Sequence, residues 1–254
     1  MDLGRSVLAA ALGGWVVSGP SRTALVFGGS RGIGAAIAQR LMPTYNVFVA
    51  SRSSSAPEGI HSTHVVTCDV RDGEQVDSIF KQLAQHQVAV DIVINSAGVG
   101  SAFDPLDPSS QRWSEMLDTN VTGVANQLSS VLRLAPAVST FVHVSSVAGK
   151  RLSPFPEYLL YSVSKIAAEQ LLSGMRSRQD VLERGLRIVG VSPGFVRNSG
   201  FAEHFYGASG VPPGKYDDPL ALEPRDVAEV VAELVDTGSL WITDVTLAHR
   251  KGSA

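Results

Sequence analysis

The stretch Thr23-Ala24-Leu25-Val26-Phe27-Gly28-Gly29-Ser30-Arg31-Gly32-Ile33-Gly34 runs from a short apolar segment into a cluster of glycines. The apolar part reads as a buried strand, because it is short, continuous and ends at turn residues. Beyond it, Ile33, Ile37 and Leu41 recur at helical spacing, and the segment 43–46 stops the pattern. Glycines caught between a strand and a helix have a physical task. They permit a tight turn, let backbone approach a pyrophosphate, and let the helix sit close on the strand. The helix N-terminus adds free N–H groups and the positive end of a dipole. Gly28, Ser30, Arg31, Gly32, Ile33 and Gly34 are therefore candidate contacts to a dinucleotide. No Gly-Lys-Ser/Thr follows, which argues against a nucleoside triphosphate.

Working outward, the same alternation repeats. Strands are expected at 46–50, 63–70, 89–96, 139–145, 186–192 and 241–248, and helices at 73–86, 113–134, 158–182 and 224–236. Strands that are continuously apolar and alternate with helices imply a parallel sheet covered on both faces. The expected fold is an α/β, Rossmann-like doubly wound parallel sheet of about seven strands. No linker divides it, so 21–254 reads as one dinucleotide-binding and catalytic domain, with 1–20 as an N-terminal extension. The longest irregular segment, 197–222, is rich in Gly, Pro and aromatics, as binding loops are.

Composition excludes several function classes. The chain has 254 residues, 44% hydrophobic and 18% charged, enough for one sizeable core. A net charge of -3 gives no electrostatic footprint for nucleic acid. The apolar stretch 7–17, broken by Gly13 and Gly14, is too short to span a bilayer. No membrane partner is expected. The expected location is cytoplasmic, with a mitochondrial leader as the alternative. The single cysteine, Cys68, excludes an intrachain disulfide or a cysteine-cluster metal site, and reads as a buried strand thiol. The six His residues lack metal-ligand spacing, so no metal is expected.

Tyr161-Ser162-Val163-Ser164-Lys165 carries the candidate chemistry. A phenol and an ammonium four residues apart share one helix face. A free Tyr titrates near ~10. A fixed cation beside it favours the phenolate and brings it toward use as an acid and base. At the end of the second strand stands Ser51-Arg52. A carboxylate there would take the ribose hydroxyls of NAD, whereas a guanidinium suits a 2′-phosphate. With Arg31 closing on the same phosphate, NADP(H) is favoured over NAD(H).

With these motifs in this order, the chain resembles the short-chain dehydrogenase/reductases of single-domain type, from about Thr23 to Leu247. The glycine loop, Asp69, Asn95-Ser96-Ala97-Gly98, Asn120, Ser145-Ser146, Tyr161 with Lys165, and Pro193-Gly194 all stand where that family has them. The resemblance implies that Asp69, with Val70 beside it, hydrogen-bonds adenine. It implies that Asn95, Ala97 and Gly98 line the adenosine side, and that Pro193, Gly194 and Val196 border the nicotinamide. Ser146, directly before Val147-Ala148-Gly149, matches the active-site serine; Ser145 points inward or braces the strand end. The departures are Phe27 where many members have Thr, Ser96 for a second Asn, and a Thr243-Asp244-Val245-Thr246-Leu247 ending without Asp-Gly-Gly.

The implied activity is an NADPH-dependent reduction of a carbonyl to an alcohol by reversible hydride transfer. Tyr161 is the expected proton donor and Lys165 its pKa-lowering partner and ribose anchor. Ser146 is the donor to the substrate oxygen, and Asn120 positions Lys165 through water. The substrate is expected to be a small-molecule carbonyl or alcohol. Alternatives within the family are a 3-oxoacyl thioester reductase and a hydroxy-acid dehydrogenase; from another class, a catalytically silent NADP(H)-binding sensor or scaffold. A homodimer or homotetramer is expected through the long helices. Tyr158 is a decoy, since Ser162 and not Lys follows one turn on. His143 reads as a satisfied sheet residue, Trp113 as packing, and Asp217-Asp218 as a solvated turn. Phe155, Tyr158, Phe201, Phe205 and Tyr206 either line an apolar pocket or pack among themselves.

Overall fold

Seven short segments rich in Val, Ile and Phe become seven parallel strands: β1 (Thr23–Phe27), β2 (Asn46–Ser51), β3 (Val65–Thr67), β4 (Ile92–Asn95), β5 (Thr140–Val144), β6 (Arg187–Pro193) and β7 (Asp244–Leu247). The computed structural model describes residues 21–61, 64–101, 110–151, 156–201, 205, 221–237 and 241–248. The extension 1–20, Phe155, Tyr206, Asp217, Asp218 and most of the segment 197–222 lie outside the described residues.

The strand order is β3-β2-β1-β4-β5-β6-β7. Chain order reverses between β1 and β4, where Phe27 pairs with Ala50 on one side and Asn95 on the other. In open parallel sheets, ligands enter at the carboxyl ends of the strands flanking this reversal.

Helices α1 (Gly32–Leu41), α2 (Gly73–Gln85), α3 (Ser110–Leu117), α4 (Gly123–Leu134), α5 (Leu159–Arg176), α6 (Gln179–Arg184) and α7 (Pro224–Asp236) cover the sheet. Alternation along each strand divides the core in two. Val26, Val49, Ile94 and Val142 face α1 and α7, meeting Ile37, Leu41, Val227 and Val231. Leu25, Phe27, Phe48, Val93 and Phe141 face the other layer, meeting Ile79, Phe80, Val124, Leu128 and Leu172. Phe27 and Phe141 are fully buried; truncating either to Ala costs about 3–5 kcal/mol.

Local signals fix the helix starts. Asp72 accepts from the N–H groups of Glu74 and Gln75 at the head of α2, a cap worth about 1 kcal/mol. Glu223 and Asp226 form a reciprocal capping box on α7, with Pro224 in the first turn.

Three elements differ markedly from the sequence expectation. β3 is three residues long, because it is an edge strand paired only with Val49–Ser51. The helix expected at 113–134 is α3 and α4 joined by one π-helical turn, Asp118–Thr122. Such turns concentrate at functional positions, and this one carries Asn120. The helix expected at 158–182 ends at Arg176, where Ser177 caps it on Gly174 and Met175. Extended Arg178 then starts α6, which ends on Gly185 at φ 66. Among the described residues no helix is long and apolar enough to cross a membrane.

Candidate active site

The carboxyl ends of β1, β4, β5 and β6 converge on one region, and the loop after β1 forms its floor. Gly28 sits at φ 72, and a Cβ there would stand 2.5 Å from the Ala97 nitrogen. A Cβ on Gly34 would stand 2.2 Å from the Gly28 carbonyl oxygen. The loop therefore admits no side chain at either point. Arg31 occupies the N-cap of α1 but makes no side-chain cap. The first N–H groups of α1 thus have no side-chain acceptor, which suits a pyrophosphate. Ser30 is half-buried at the crest of this loop, and Ile33 packs against the core beneath it. The segment after β6 returns across the loop. The Ser199 carbonyl oxygen lies 2.2 Å from where a Cβ on Gly32 would stand, and Arg31 Nη1 reaches the Gly200 carbonyl at 3.4 Å.

At the end of β2, the Ser51 hydroxyl donates to the Ser53 carbonyl at 2.6 Å, which turns the chain and leaves Arg52 exposed. Next to it, Arg71 Nε donates to both oxygens of Asp69 at 2.9 Å. This pairing holds the Asp69 carboxyl below its ordinary range, with Arg52 adding a smaller pull. Asp69, expected to hydrogen-bond adenine, is paired with Arg71. Arg71 is a further residue of this site, and its one signal in the sequence is the spacing Asp69-Val70-Arg71. Val70 is buried in the core, and its carbonyl accepts from Asn126 Nδ2 at 3.0 Å.

Asn95 is fully buried, so its side chain holds the turn rather than lining a surface. Its Oδ1 accepts from the Ala97 N–H at 3.0 Å, and its Nδ2 meets His143 Nδ1 at 3.1 Å. That contact makes Nδ1 the acceptor and places the imidazole proton on Nε2, which has no partner among the described residues. Burial keeps His143 well below the ordinary histidine range, reinforced by Lys165 and Lys150. His143 is a neutral sheet residue, satisfied at one nitrogen only.

Asn120, on the π turn, ties two elements together. Its Oδ1 accepts from the Val99 N–H at 2.9 Å; its Nδ2 donates to the Val99 carbonyl at 2.8 Å and to Ser164 Oγ at 2.9 Å. Ser164 in turn donates to the Tyr161 carbonyl at 2.8 Å. A Cβ on Gly98 would stand 3.3 Å from Lys165 Nζ and 3.4 Å from Asn120 Oδ1, so both groups flank this glycine. Lys165 Nζ lies 3.4 Å from the Val144 carbonyl and 5.8 Å from the centroid of the Tyr161 ring. Ser146 accepts from the Ala148 N–H at 3.1 Å and hydrogen-bonds the Tyr161 phenol. The fold thus gathers four residues from three elements: Asn120 from the π turn, Ser146 from the turn at the end of β5, and Tyr161 and Lys165 from α5. Ser145 points inward: it is buried, and its Oγ has no partner among the described residues.

Burial dominates the electrostatics of the pair. It pushes the Tyr161 phenol up to about 12, against the lowering influence of Ser146. It pushes the Lys165 ammonium down to about 8, against the raising influence of Glu169. The sequence expectation that Lys165 pulls Tyr161 downward is not met: desolvation raises the phenol, and Ser146 is the group that lowers it.

The aromatic residues account for that burial. Phe201 lies 5.1 Å from Tyr161 and Phe205 6.0 Å, ring centroid to ring centroid, and Tyr158 stacks on Phe205 at 4.4 Å. Trp113 and Met116 join the same cluster, so Trp113 does pack. A Cβ on Gly100 would stand 2.4 Å from Phe201 Cζ, so that glycine, unremarked in the sequence, seats the ring. Pro193 and Val196 are buried, Val196 bridging to Leu222; the Gly194 N–H donates to the Leu247 carbonyl at 2.8 Å. Among the described residues no group of three or more His, Cys, Asp or Glu is placed to hold a metal. Cys68 is buried, and its thiol is pushed up to about 12, first by burial and then by Asp69 and Asp72.

Residues 22–206 match the family model of the short chain dehydrogenases. The chain is 34% identical over 132 residues to the 3-oxoacyl-(acyl-carrier-protein) reductase MabA of Mycobacterium avium, spanning 51% of each protein. It is 27% identical over 230 residues to the farnesol dehydrogenase of Aedes aegypti, covering 85% of this chain and 90% of that one. Among solved structures, an actinorhodin polyketide ketoreductase with NADPH superposes at a TM-score of 0.75 with 25% identity, covering 92% of this chain and 98% of the other.

Proposed function

This chain belongs to the short-chain dehydrogenase family of oxidoreductases, and on that premise we propose that it is an NADPH-dependent carbonyl reductase acting reversibly. The observation that carries the proposal is the convergence of a phenol, a hydroxyl and an ammonium, from Tyr161, Ser146 and Lys165, beside Gly98 and the glycine loop. The loop's shape fits the group: its glycines let the chain turn tightly against the backbone of Ala97, Gly28 and Ser199, and the head of α1 is uncapped by any side chain. Gly28, Ser30, Arg31, Gly32, Ile33 and Gly34 would hold the phosphates, Ser51 and Arg52 the 2′-phosphate. Asp69 and Val70 would meet the adenine, Asn95, Ala97 and Gly98 would back the adenosine side, and Pro193, Gly194 and Val196 would border the nicotinamide. When bound, the nicotinamide supplies or accepts the hydride.

The chain's own residues manage the substrate oxygen and its proton. Tyr161 gives its phenolic proton to the carbonyl oxygen as that oxygen gains charge, and takes it back in oxidation. Ser146 donates a hydrogen bond to the same oxygen, strongest when it is negative. Lys165 stabilises the phenolate left behind and would hold the nicotinamide ribose. Asn120 keeps Val99 and the Ser164 turn of α5 fixed around it. Phe201, Phe205 and Tyr158 offer an apolar wall for the substrate. Arg52, exposed and with no carboxylate at the end of β2, supports NADPH over NADH.

The MabA relative favours a second substrate class, a 3-oxoacyl thioester. A panel of ketones, 3-oxoacyl thioesters and hydroxy acids, followed by NADPH absorbance, separates these from a hydroxy-acid dehydrogenase. Tyr161→Phe should abolish turnover while NADPH still binds. If that variant reduced ketones at a near-normal rate, the mechanism would be wrong. If the native chain bound NADPH but turned over nothing, a sensor or scaffold role would replace the enzyme.

A further inference from the structure

The charges of the site continue beneath it. One turn along α5 from Lys165, on the same helix face, stands Glu169. Lys150 Nζ donates to Glu169 Oε2 at 2.9 Å and to Asp244 Oδ1 at 3.0 Å; Asp244 Oδ2 in turn takes Arg176 Nη1 at 2.9 Å. Side-chain exposure is 7% at Glu169, 33% at Lys150 and 37% at Asp244, so the row of alternating sign runs from the interior to the surface. β6 makes room for it. A Cβ on Gly190 would stand 3.4 Å from both Glu169 oxygens and 2.9 Å from Asp244 Oδ1, and the Ser192 hydroxyl lies 3.5 Å from Glu169 Oε1.

A carboxylate this buried is costly unless its charge is used. Lys150 uses part of it but is itself shared with Asp244. The remainder acts on Lys165, for which Glu169 is the charge that opposes desolvation. We propose that Glu169 is a positioning residue for the Tyr161–Lys165 pair: its carboxylate, fixed by Lys150 and Ser192 in the space left by Gly190, keeps the buried Lys165 ammonium protonated. This rests on the carbonyl-reductase function proposed above.

The sign is definite in the reductive direction. The competent state carries a proton on Tyr161 and a proton on Lys165. Whichever leaves first, the site loses one positive charge, and a negative Glu169 opposes that loss. The other groups around the pair do not cancel it. His143 on β5 is buried and neutral. Lys150 is held protonated by Glu169 and Asp244. Arg176 and Asp244 pair with each other farther out.

Glu169→Gln should therefore move the alkaline limb of kcat/KM for carbonyl reduction toward acid by about one pH unit, the scale of a nearby-charge effect on a buried group. Glu169→Asp should restore most of the limb, and Lys150→Met should move it the opposite way. A second readout needs no turnover. The chain has five lysines, Lys81, Lys150, Lys165, Lys215 and Lys251, so ε-¹³C-lysine NMR of the full chain can follow Lys165, assigned through Lys165→Met. Its titration should shift acidward in Glu169→Gln. A uniform loss of activity with the limb and the Lys165 resonance both unmoved would overturn the proposal, leaving Glu169 a purely structural residue. A shifted Lys165 resonance in a protein that reduces no carbonyl would overturn the function while sustaining the Glu169–Lys165 coupling.

Discussion

The ring of Phe201 stands 5.1 Å from the ring of Tyr161, tilted by 49°, and so excludes water from one side of the phenol. Burial is the largest cause of the raised Tyr161 pKa. Phe201→Ala should return the phenol from about 12 toward its ordinary value near 10. A tyrosinate absorbance titration, differenced against the same variant carrying Tyr161→Phe, measures this. An unchanged titration would mean that other groups bury the phenol. The same variant should raise KM for apolar carbonyls.

Arg52 stands exposed after β2 with no carboxylate nearby on that strand end. Arg52→Ala should weaken NADPH binding by about 10- to 100-fold, the worth of a lost charge-assisted hydrogen bond, and leave NADH nearly unchanged. Fluorescence titration with both nucleotides decides it. Equal losses would remove the 2′-phosphate from the site.

Lys165 makes the folded state less stable at neutral pH. Its folded value is lowered from 10.5 to about 8. Below about 8 both folded and unfolded chains hold the proton, and the folded one bears the full cost of burying the charge. Between about 8 and 10.5 the unfolded chain holds more protons, so stability rises with pH across that window. Lys165→Met should therefore unfold at higher temperature at pH 7, by an amount on the order of 2 kcal/mol, while losing activity. The difference should narrow as pH rises beyond about 8. Thermal unfolding at three pH values tests both the sign and the window.

Arg184 closes the end of α4 from a distance in sequence. Its guanidinium donates to the carbonyls of Val131 at 2.9 Å and Val138 at 3.0 Å, and to Ala135. A cation at a helix C-terminus also meets the negative end of the dipole. Arg184→Met leaves these carbonyls without that donor and should cost about 2 kcal/mol in urea unfolding with the m-value unchanged. A cost below 0.5 kcal/mol would make the contact ornamental by the same scale.

The parts legible in the sequence were those with few physical alternatives. A glycine cluster between an apolar strand and an amphipathic helix has one common use, so β1, the loop and α1 followed directly. Asn120, Ser146, Tyr161 and Lys165 were named from motifs, but only the sheet order brings them to one place. The π turn was invisible because one wide turn barely disturbs helical periodicity. The break at Ser177 was hidden because Leu171, Leu172, Met175, Val181 and Leu182 continue the apolar spacing across it. Arg71, Gly100 and Glu169 escaped notice for a different reason. Each matters through a neighbour that the folded chain supplies, and a sequence lists residues without their neighbours.

The contact between Ser199 and Gly32 has a kinetic consequence. The segment after β6 rests its own backbone on the loop that would receive a dinucleotide. A carbonyl oxygen is a group of like polarity to a phosphate, so a segment that must lift before the phosphate binds would gate capture. The observed association rate would climb with nucleotide concentration only until it equals the rate of that opening, and would level off there.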